Sequence, residues 1–157
     1  MSYYERTYGE INDIDYLYQV IKKYIKITEN YYFYDFGSGY GKICIKYHNK
    51  FKKCFGIEID KERHNHATNL NDKNNVIFIN KNFFDIEIDN NPTILFSNNL
   101  CLGKGTLKRL SYKIYDELKK GDLLILTKKL DFLEEYYKQW FSIECSWGNS
   151  EIYVYEF

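Results

Sequence analysis

Short apolar segments alternate along the chain with longer segments whose apolar residues recur at helical spacing. The short segments are typical of strands that are buried on both faces of a sheet. They are Tyr31–Phe36, Cys54–Ile59, Val76–Ile79, Thr93–Phe96 and Leu123–Leu126. Because parallel neighbouring strands need a crossover connection, this alternation predicts a parallel sheet with helices on both faces.

Helices are predicted between these strands. The first begins after Asn12 or Asp13, either of which can cap it, and its apolar residues continue to Ile25. The other helices are expected over Lys42–Phe51, Lys61–Asn71, Thr106–Lys119 and, as a short helix, Asp131–Lys138.

The end of the chain departs from this alternation. Trp140–Cys145 and Glu151–Phe157 are strand-like, and the loop of residues 147–150 between them predicts an antiparallel hairpin. We therefore expect a mostly parallel, seven-stranded α/β sheet that ends in this hairpin. The length of 157 residues fits a single domain over residues 1–157, since domains usually hold roughly 100 to 200 residues.

Charge and composition exclude several classes of function. The 22 Lys and Arg balance 22 Asp and Glu, so no net charge attracts nucleic acid or an acidic membrane. No apolar segment approaches the roughly 20 residues that cross a bilayer, and Met1–Arg6 lacks the features of a secretory signal. We expect an intracellular protein of the nucleus or cytoplasm with reduced cysteines. Abundant Asn, Lys, Ile and Tyr are typical of an AT-rich genome.

The most specific motif is the glycine-rich turn between the first strand and the following helix. Asp35 ends the strand, and Gly37, Gly39 and Gly41 follow; glycine permits positive φ and lets a ligand approach the backbone. Glu58 ends the second strand, 17 residues after Gly41, where a carboxylate can accept hydrogen bonds from both hydroxyls of a ribose. Together these features indicate a ligand that contains adenosine.

The acidic residue before the loop distinguishes among such ligands. Asp35 would repel a phosphate but attract the ammonium of a methionyl group, which favours S-adenosyl-L-methionine over NAD or FAD. After the third strand, Asn82 and Phe83 are candidates to hold adenine by hydrogen bonding and stacking. The alternatives are a purely structural turn, an unrelated surface glutamate at Glu58, and an ordinary loop and core at Asn82 and Phe83.

Further segments, spread over almost the whole chain, follow the order of one known family. They are Tyr8–Glu10, Asp35–Gly41, Gly56–Glu58, Ile94–Leu100, Ser146–Gly148 and Tyr153. In them the chain resembles the disruptor-of-telomeric-silencing (Dot) family of non-SET histone lysine methyltransferases. The resemblance implies a Rossmann-like class I methyltransferase fold, S-adenosyl-L-methionine as cofactor, and transfer of a methyl group to a lysine amine of a histone or nucleosome.

The resemblance also implies roles for individual residues. The implied cofactor site consists of Tyr8, Glu10, Asp35, Gly37, Gly39, Glu58, Asn82, Phe83 and Asn98. The implied lysine channel consists of Phe96, Asn98, Trp147 and Tyr153. In that channel Asn98 would orient the methionyl end or the amine, and Tyr153 would form the polar rim. For Trp147 and Tyr153 the alternative is ordinary packing of the hairpin.

Several questions stay open at this point. The glycine-loop site does not identify the acceptor, so a non-histone protein, a nucleic acid or a small molecule is an alternative, as is a cofactor-binding subunit without catalysis. A basic cluster at Lys104, Lys108 and Arg109 predicts either a solvated helix face or a local contact with nucleic acid. No metal site is expected, because His64 and His66 are two residues apart and do not share a helix face.

Overall fold

The computed structural model describes residues 9–157. Within them the strands are β1 Tyr32–Phe36, β2 Lys53–Ile57, β3 Val76–Ile79, β4 Thr93–Ser97, β5 Leu123–Leu126, β6 Tyr137–Cys145 and β7 Gly148–Glu156. The α-helices are α1 Ile14–Tyr24, α2 Lys42–Lys46, α3 Lys61–Leu70 and α4 Lys104–Glu117. Short 3₁₀ helices span Thr28–Asn30, Phe83–Asp85 and Asp131–Tyr136.

The strands form one seven-stranded sheet in the order β3-β2-β1-β4-β5-β7-β6. Strands β1 to β5 are parallel, and β7 lies antiparallel between β5 and β6. Strands β2 and β3 lie on one side of β1, and β4 lies on its other side, so the strand order reverses direction next to β1. In open α/β sheets, ligands bind at such a switch point, at the carboxyl ends of the strands. The predicted mostly parallel sheet with a C-terminal hairpin is confirmed.

Successive residues of each strand face opposite sides of the sheet. In β4, Ile94 and Phe96 pack in the core beneath α1 and α2, whereas Leu95 packs in the core beneath α4. Strands β1, β4 and β5 are buried along their whole length because both faces are covered. This explains why these three strands are mostly apolar, and it confirms the expected helices on both faces.

Helix α1 begins where the sequence predicts. The Asp13 side chain accepts a hydrogen bond from the backbone N–H of Tyr16 at 3.0 Å and thereby caps the helix. The buried face of α1 consists of Ile14, Leu17, Val20 and Ile21.

Helix α2 is shorter than predicted, since it ends at Lys46 and not at Phe51. The Asn75 side-chain amide lies 2.6 Å from the carbonyl oxygen of His48 and 3.4 Å from that of Phe51, and donates to both. Tyr47, which follows the helix, is buried, and its hydroxyl donates to the Ile14 carbonyl at 2.6 Å. These tertiary contacts replace the next helical turn.

The boundaries of the hairpin also differ from the prediction. Strand β6 starts at Tyr137, so the expected helix over Asp131–Lys138 is a 3₁₀ helix that ends at Tyr136. Cys145 pairs with Gly148, which leaves Ser146 and Trp147 as a two-residue turn in place of the expected loop of residues 147–150. Gly148 has a φ of 120° after this turn.

Candidate functional site

The glycine loop between β1 and α2 has the backbone conformation that the sequence predicts. Gly37, Gly39 and Gly41 have φ values of 87°, 58° and 83°. A Cβ atom on Gly41 would lie 2.5 Å from Cζ of Phe78 and 2.9 Å from Cβ of Ala67. Side chains of β3 and α3 therefore pack directly against the loop, and only glycine fits at this position.

Glu58 follows β2 and lies beneath the loop. It is 5% exposed; its Oε1 accepts a hydrogen bond from the Gly39 N–H at 2.8 Å, and its Oε2 accepts one from the Asp60 N–H at 2.9 Å. Arg63 Nε lies 3.6 Å from Oε2. Glu58 thus fixes the glycine loop, a role that the sequence analysis missed. Its contact with a ribose stays a prediction.

Asp35 is the last but one residue of β1 and is 3% exposed. Burial, and to a lesser degree the charge of Glu58, raises the pKa of Asp35 to about 8. Among the described residues, no lysine, arginine or histidine lies within ion-pair distance of Asp35. A buried carboxyl without a cation suits a ligand that brings its own positive charge.

A pocket opens at the carboxyl ends of β1 and β4, where the sheet has its switch point. It holds about 340 Å³ of space, part of it open to solvent. Its walls include Gly9, Glu10, Asp35, Gly37, Ser38, Phe96 and Asn98. Ser38 also lines the pocket, and its hydroxyl is buried and finds no hydrogen-bond partner in residues 9–157. This donor and acceptor set fits a cofactor that carries an ammonium and hydroxyls.

Residues 9–12 form one wall of the pocket and are attached to the tip of the β6–β7 hairpin. Ser146 N–H donates to the Glu10 carbonyl at 2.8 Å, and Glu10 N–H donates to Ser146 Oγ at 3.0 Å. Asn12 N–H donates to the Glu144 carbonyl at 3.0 Å, and Lys42 Nζ lies 3.1 Å from Glu10 Oε2. Glu10, a predicted site residue, therefore connects helix α2 to the tip of the β6–β7 hairpin by an ion pair and two hydrogen bonds. Tyr8, predicted beside it, lies outside the described residues.

Three of the four predicted channel residues lie close to Gly9. Asn98 Nδ2 donates to the Gly9 carbonyl at 2.9 Å, and Asn98 Oδ1 accepts from the Thr127 hydroxyl at 2.9 Å. The ring of Trp147 packs so closely that a Cβ atom on Gly9 would lie 2.8 Å from it. Phe96 is buried and lines the pocket. Phe96 and Asn98 thus line the pocket, and Trp147 packs against Gly9, which lines it as well.

Tyr153 faces the opposite side of the sheet from Phe96. In β7 it pairs with Leu126, whose side chain belongs to the core beneath α4, whereas Phe96 belongs to the core beneath α1 and α2. Its ring lies 6.3 Å from the ring of Tyr137. The antiparallel register of β7 turns the Tyr153 side chain to the face opposite Phe96. Its place at the channel rim stays a prediction.

The predicted adenine residues are engaged within the protein. The Asn82 side chain accepts a hydrogen bond from Phe84 N–H at 3.1 Å and caps the 3₁₀ helix that follows β3. The ring of Phe83 is 6% exposed and stacks on Phe36 at a centroid distance of 5.0 Å. These contacts fit the alternative of loop and core, and the adenine role stays a prediction.

Residues 9–157 contain no group of three His, Cys, Asp or Glu side chains that could hold a metal ion. None of the helices in this part of the chain is long and apolar enough to span a membrane.

Comparison with known sequences identifies a family. Residues 1–139 match the sequence model of the family described as histone methylation protein DOT1, which is most of the chain. No protein in a search of curated sequences matches. The family match confirms the resemblance found in the sequence.

Comparison with solved structures gives the fold. The N-methyltransferase NodS from Bradyrhizobium japonicum is similar with a TM-score of 0.72 and 8% identity, over 92% of this chain and 97% of that one. An RNA methyltransferase from Salinibacter ruber, in complex with S-adenosyl-L-homocysteine, has a TM-score of 0.63 and 18% identity over 89% of each chain. An S-adenosylmethionine-dependent methyltransferase from Listeria monocytogenes has a TM-score of 0.58 and 22% identity; the match covers 69% of this chain and only 52% of the Listeria chain.

Family and fold agree with the geometry of the pocket. The sheet is that of Rossmann-like methyltransferases, as predicted. The expected cofactor, S-adenosyl-L-methionine, is supported by the family and by this fold. The chain therefore belongs to the family of the histone methylation protein DOT1 and has the Rossmann-like methyltransferase fold.

Proposed function

We propose, because the chain belongs to the family of the histone methylation protein DOT1, that it transfers a methyl group from S-adenosyl-L-methionine to the side-chain amine of a histone lysine. The observation that carries this proposal is the pocket in which a buried carboxyl without a cation, Asp35, lies next to the glycine loop. Phe96 and Asn98 line the same pocket, toward the hairpin.

The cofactor side of the pocket is assigned to residues of β1, the glycine loop and β2. When bound, the cofactor supplies a methyl group on a positively charged sulfur. Asp35 would hold the ammonium of the methionyl group, and Ser38 would donate or accept a hydrogen bond nearby. Glu58 keeps one lone pair on each oxygen after binding Gly39 and Asp60, and these can accept hydrogen bonds from ribose hydroxyls. Asn82 and Phe83 would border the adenine.

The acceptor side needs to align an amine and keep water out. Methyl transfer from a sulfonium is a direct displacement, so positioning contributes more than a strong base. The acceptor lysine has to lose a proton first, and an apolar wall such as Phe96 lowers the pKa of an amine by disfavouring its charged form. Asn98, held by Thr127 and Gly9, presents a fixed amide at the pocket wall.

The test is transfer of tritiated methyl from S-adenosyl-L-methionine to nucleosomes, free core histones and bulk RNA in parallel. The labelled product is digested to identify the methylated atom. We expect label on a histone lysine Nε. Label on RNA, or on no macromolecule, would reject the proposed acceptor and leave the methyltransferase fold intact.

A matched pair of variants shows whether the described pocket produces the signal. Asp35→Asn removes the charge that would hold the ammonium and should abolish transfer. Asp72→Asn removes an exposed carboxyl after α3, far from the pocket, and should leave transfer unchanged. Equal activity of the two variants would place the reaction elsewhere.

A further inference from the structure

A second concave surface lies on the other face of the sheet, between α4 and the segment that follows β5. Its lining includes Lys104, Lys108, Ser111, Lys128, Lys129 and Phe132. We call this surface the α4 groove. We propose that the α4 groove binds single-stranded nucleic acid through its lysines and exposed aromatic rings. This proposal goes beyond the methyl-transfer reaction and rests on none of the residues assigned to the pocket.

The charge of the groove contrasts with that of the whole chain. The chain has a net charge of zero, yet four lysines line the groove against one carboxylate, Asp131. Lys129 Nζ is paired with Glu134 at 3.1 Å. Lys104, Lys108 and Lys128 are exposed and form no ion pair within the described residues. The surface is therefore locally positive and suited to a polyanion.

Exposed aromatic rings continue the groove. Phe132 is 54% exposed, Tyr115 is 52% exposed and Tyr112 is 48% exposed. The ring of Phe132 lies 5.0 Å from that of Tyr112 and 6.1 Å from that of Tyr115, centroid to centroid. The ring planes of these two pairs meet at 64° and 71°, so the three exposed rings form a platform whose faces point in different directions. Nucleic-acid bases stack on exposed aromatic faces of this kind.

The lysines and the rings are arranged in one line along α4. Lys104, Lys108, Tyr112 and Tyr115 follow each other at spacings of four, four and three residues, so their side chains share one face of the helix. At a rise of about 1.5 Å per residue the line is about 16 Å long. Its basic end lies at the carboxyl edge of the sheet, and its aromatic end lies farther along the helix.

The basic end of the groove is joined to the methyl-transfer pocket by hydrogen bonds. The side chain of Asn99 accepts from Lys128 N–H at 2.8 Å and donates to the Lys128 carbonyl at 3.0 Å. Thr127 donates from its hydroxyl to both Asn98 and Asn99. The backbone of Lys128 is thus fixed relative to Asn98, and a strand held in the groove would end close to the pocket.

The combination of groups favours single strands over other polyanions. In a duplex the bases are stacked on each other and their faces are not available to Phe132 and Tyr112. An acidic peptide would be attracted by the lysines but has no flat group for the rings. Single strands supply both the phosphates and the exposed base faces.

The experiment measures fluorescence anisotropy of labelled oligouridine about 12 nucleotides long, within the usual site size of such proteins. A duplex of the same length and a polyglutamate peptide are the competing probes. We expect the single strand to bind most tightly, with an affinity that falls as salt rises. Tighter binding of the duplex or the peptide, or no binding of the single strand at low salt, would overturn the proposal.

Two sets of variants separate charge from stacking. The triple variant Lys104→Gln, Lys108→Gln and Lys128→Gln should weaken binding at least about tenfold and reduce the slope of log affinity against log salt by about 2. The control is the triple variant Lys23→Gln, Lys26→Gln and Lys52→Gln, which removes the same number of positive charges at the opposite edge of the sheet. It should bind like the unchanged protein.

The ring variants test the platform. Phe132→Ala should weaken binding about tenfold, while Phe132→Tyr, which keeps the ring, should not. All of these positions are exposed, and unchanged thermal melting will show that the variants are folded. If Phe132→Ala binds normally while the lysine variant does not, the surface is a general anion site and the proposal for single strands is wrong. Because no methyl transfer is measured, this outcome is independent of the proposed reaction.

Discussion

The two sides of the proposed methyl-transfer pocket are assembled in different ways. On the cofactor side, Asp35, the glycine loop and Glu58 come from consecutive elements, and Glu58 bonds directly to the loop at Gly39. On the acceptor side, Gly9, Asn98 and Trp147 come from three distant parts of the sequence and meet through one hydrogen bond and one packing contact.

Because they are assembled differently, the two sides should respond differently to substitutions. The cofactor side is fixed by buried, charge-assisted hydrogen bonds, so its disruption costs both binding and stability. The acceptor side depends on how residues 9–12 lie against the hairpin tip, so its disruption should change alignment more than binding. Substitutions on the two sides should therefore separate into binding defects and turnover defects.

The largest effect is expected from Glu58→Ala. The substitution removes both acceptors from the Gly39 and Asp60 N–H groups and leaves the loop without its support. Since hydrogen bonds to a charged group contribute about 1.5–3 kcal/mol each, we expect affinity for S-adenosyl-L-homocysteine to fall about a hundredfold or more. Calorimetric titration measures it, and unchanged affinity would refute the assigned role.

A neighbouring carboxylate provides the control for Glu58. Glu62 lies in the first turn of α3, close to Glu58 in sequence, and is exposed. Glu62→Ala has the same change of charge but no partner in the loop, so cofactor affinity should stay within about twofold, as is usual for surface substitutions.

The sequence predicts much of the cofactor side because its signals are local. A strand, a glycine loop and an acidic residue at the end of the next strand are contiguous, and all three are placed by the alternation of apolar segments. The hydrogen bond from the Gly39 N–H to Glu58 was not predicted. From the sequence alone, a carboxylate at this position can accept hydrogen bonds from a ligand or from the loop. The length of α2 was missed because Asn75, from another part of the chain, binds the carbonyls that would continue the helix.

The acceptor side is harder to predict because it depends on antiparallel register. A shift of one residue in β7 moves every side chain to the other face of the sheet, and the register is set by the two-residue turn at Ser146 and Trp147. The sequence alone suggested a longer turn, so it could not fix the face on which Tyr153 lies.

The second largest effect is expected from Asn98→Ala. The amide holds the Gly9 carbonyl at the pocket wall, and its loss removes one of the contacts that position this wall. A small misplacement of reacting groups can cost up to about a hundredfold in rate, and we expect kcat to fall about thirtyfold. Cofactor affinity should fall only about fivefold, the value of one neutral hydrogen bond.

Steady-state kinetics and calorimetry on Asn98→Ala show whether Asn98 acts on the cofactor side or on the acceptor side. A fall in affinity as large as the fall in kcat would make Asn98 a cofactor residue and erase the distinction. Asn71→Ala is the control, since its amide donates to the carbonyl of Val76 at the start of β3, away from the pocket; its kcat should stay near that of the unchanged protein.

The affinity for the cofactor should depend on pH through Asp35. The pKa of Asp35 is raised to about 8, so the carboxyl is largely protonated at pH 7 before a ligand binds. An ammonium binds the ionised form, and binding must then release a proton. Between pH 6 and 7, affinity should rise with pH by as much as about tenfold per unit. Calorimetry in buffers of different ionisation enthalpy measures the number of protons that binding releases. Binding to Asp35→Asn should release no proton at this position.

The same group predicts how the stability of the ligand-free protein depends on pH. The pKa of Asp35 is higher in the folded chain than in the unfolded chain, so the folded state binds more protons between the two values. The contribution of Asp35 to stability is therefore favourable at low pH and is lost as pH rises from about 4 to about 8. The melting temperature of Asp35→Asn minus that of the unchanged protein should increase over this range, because only the unchanged protein loses stability. A constant difference would contradict the raised pKa.

The smallest effect is expected from Tyr153→Phe, and it is the most discriminating. The hydroxyl was predicted at the rim of the lysine channel, but the side chain lies on the face of the sheet that carries α4. If the arrangement of β7 persists during the reaction, loss of the hydroxyl should change kcat less than about twofold, as for other substitutions away from a site. A fall as large as that of Asn98→Ala would mean that the hairpin rearranges when substrate binds, and that the acceptor side takes its working form only then.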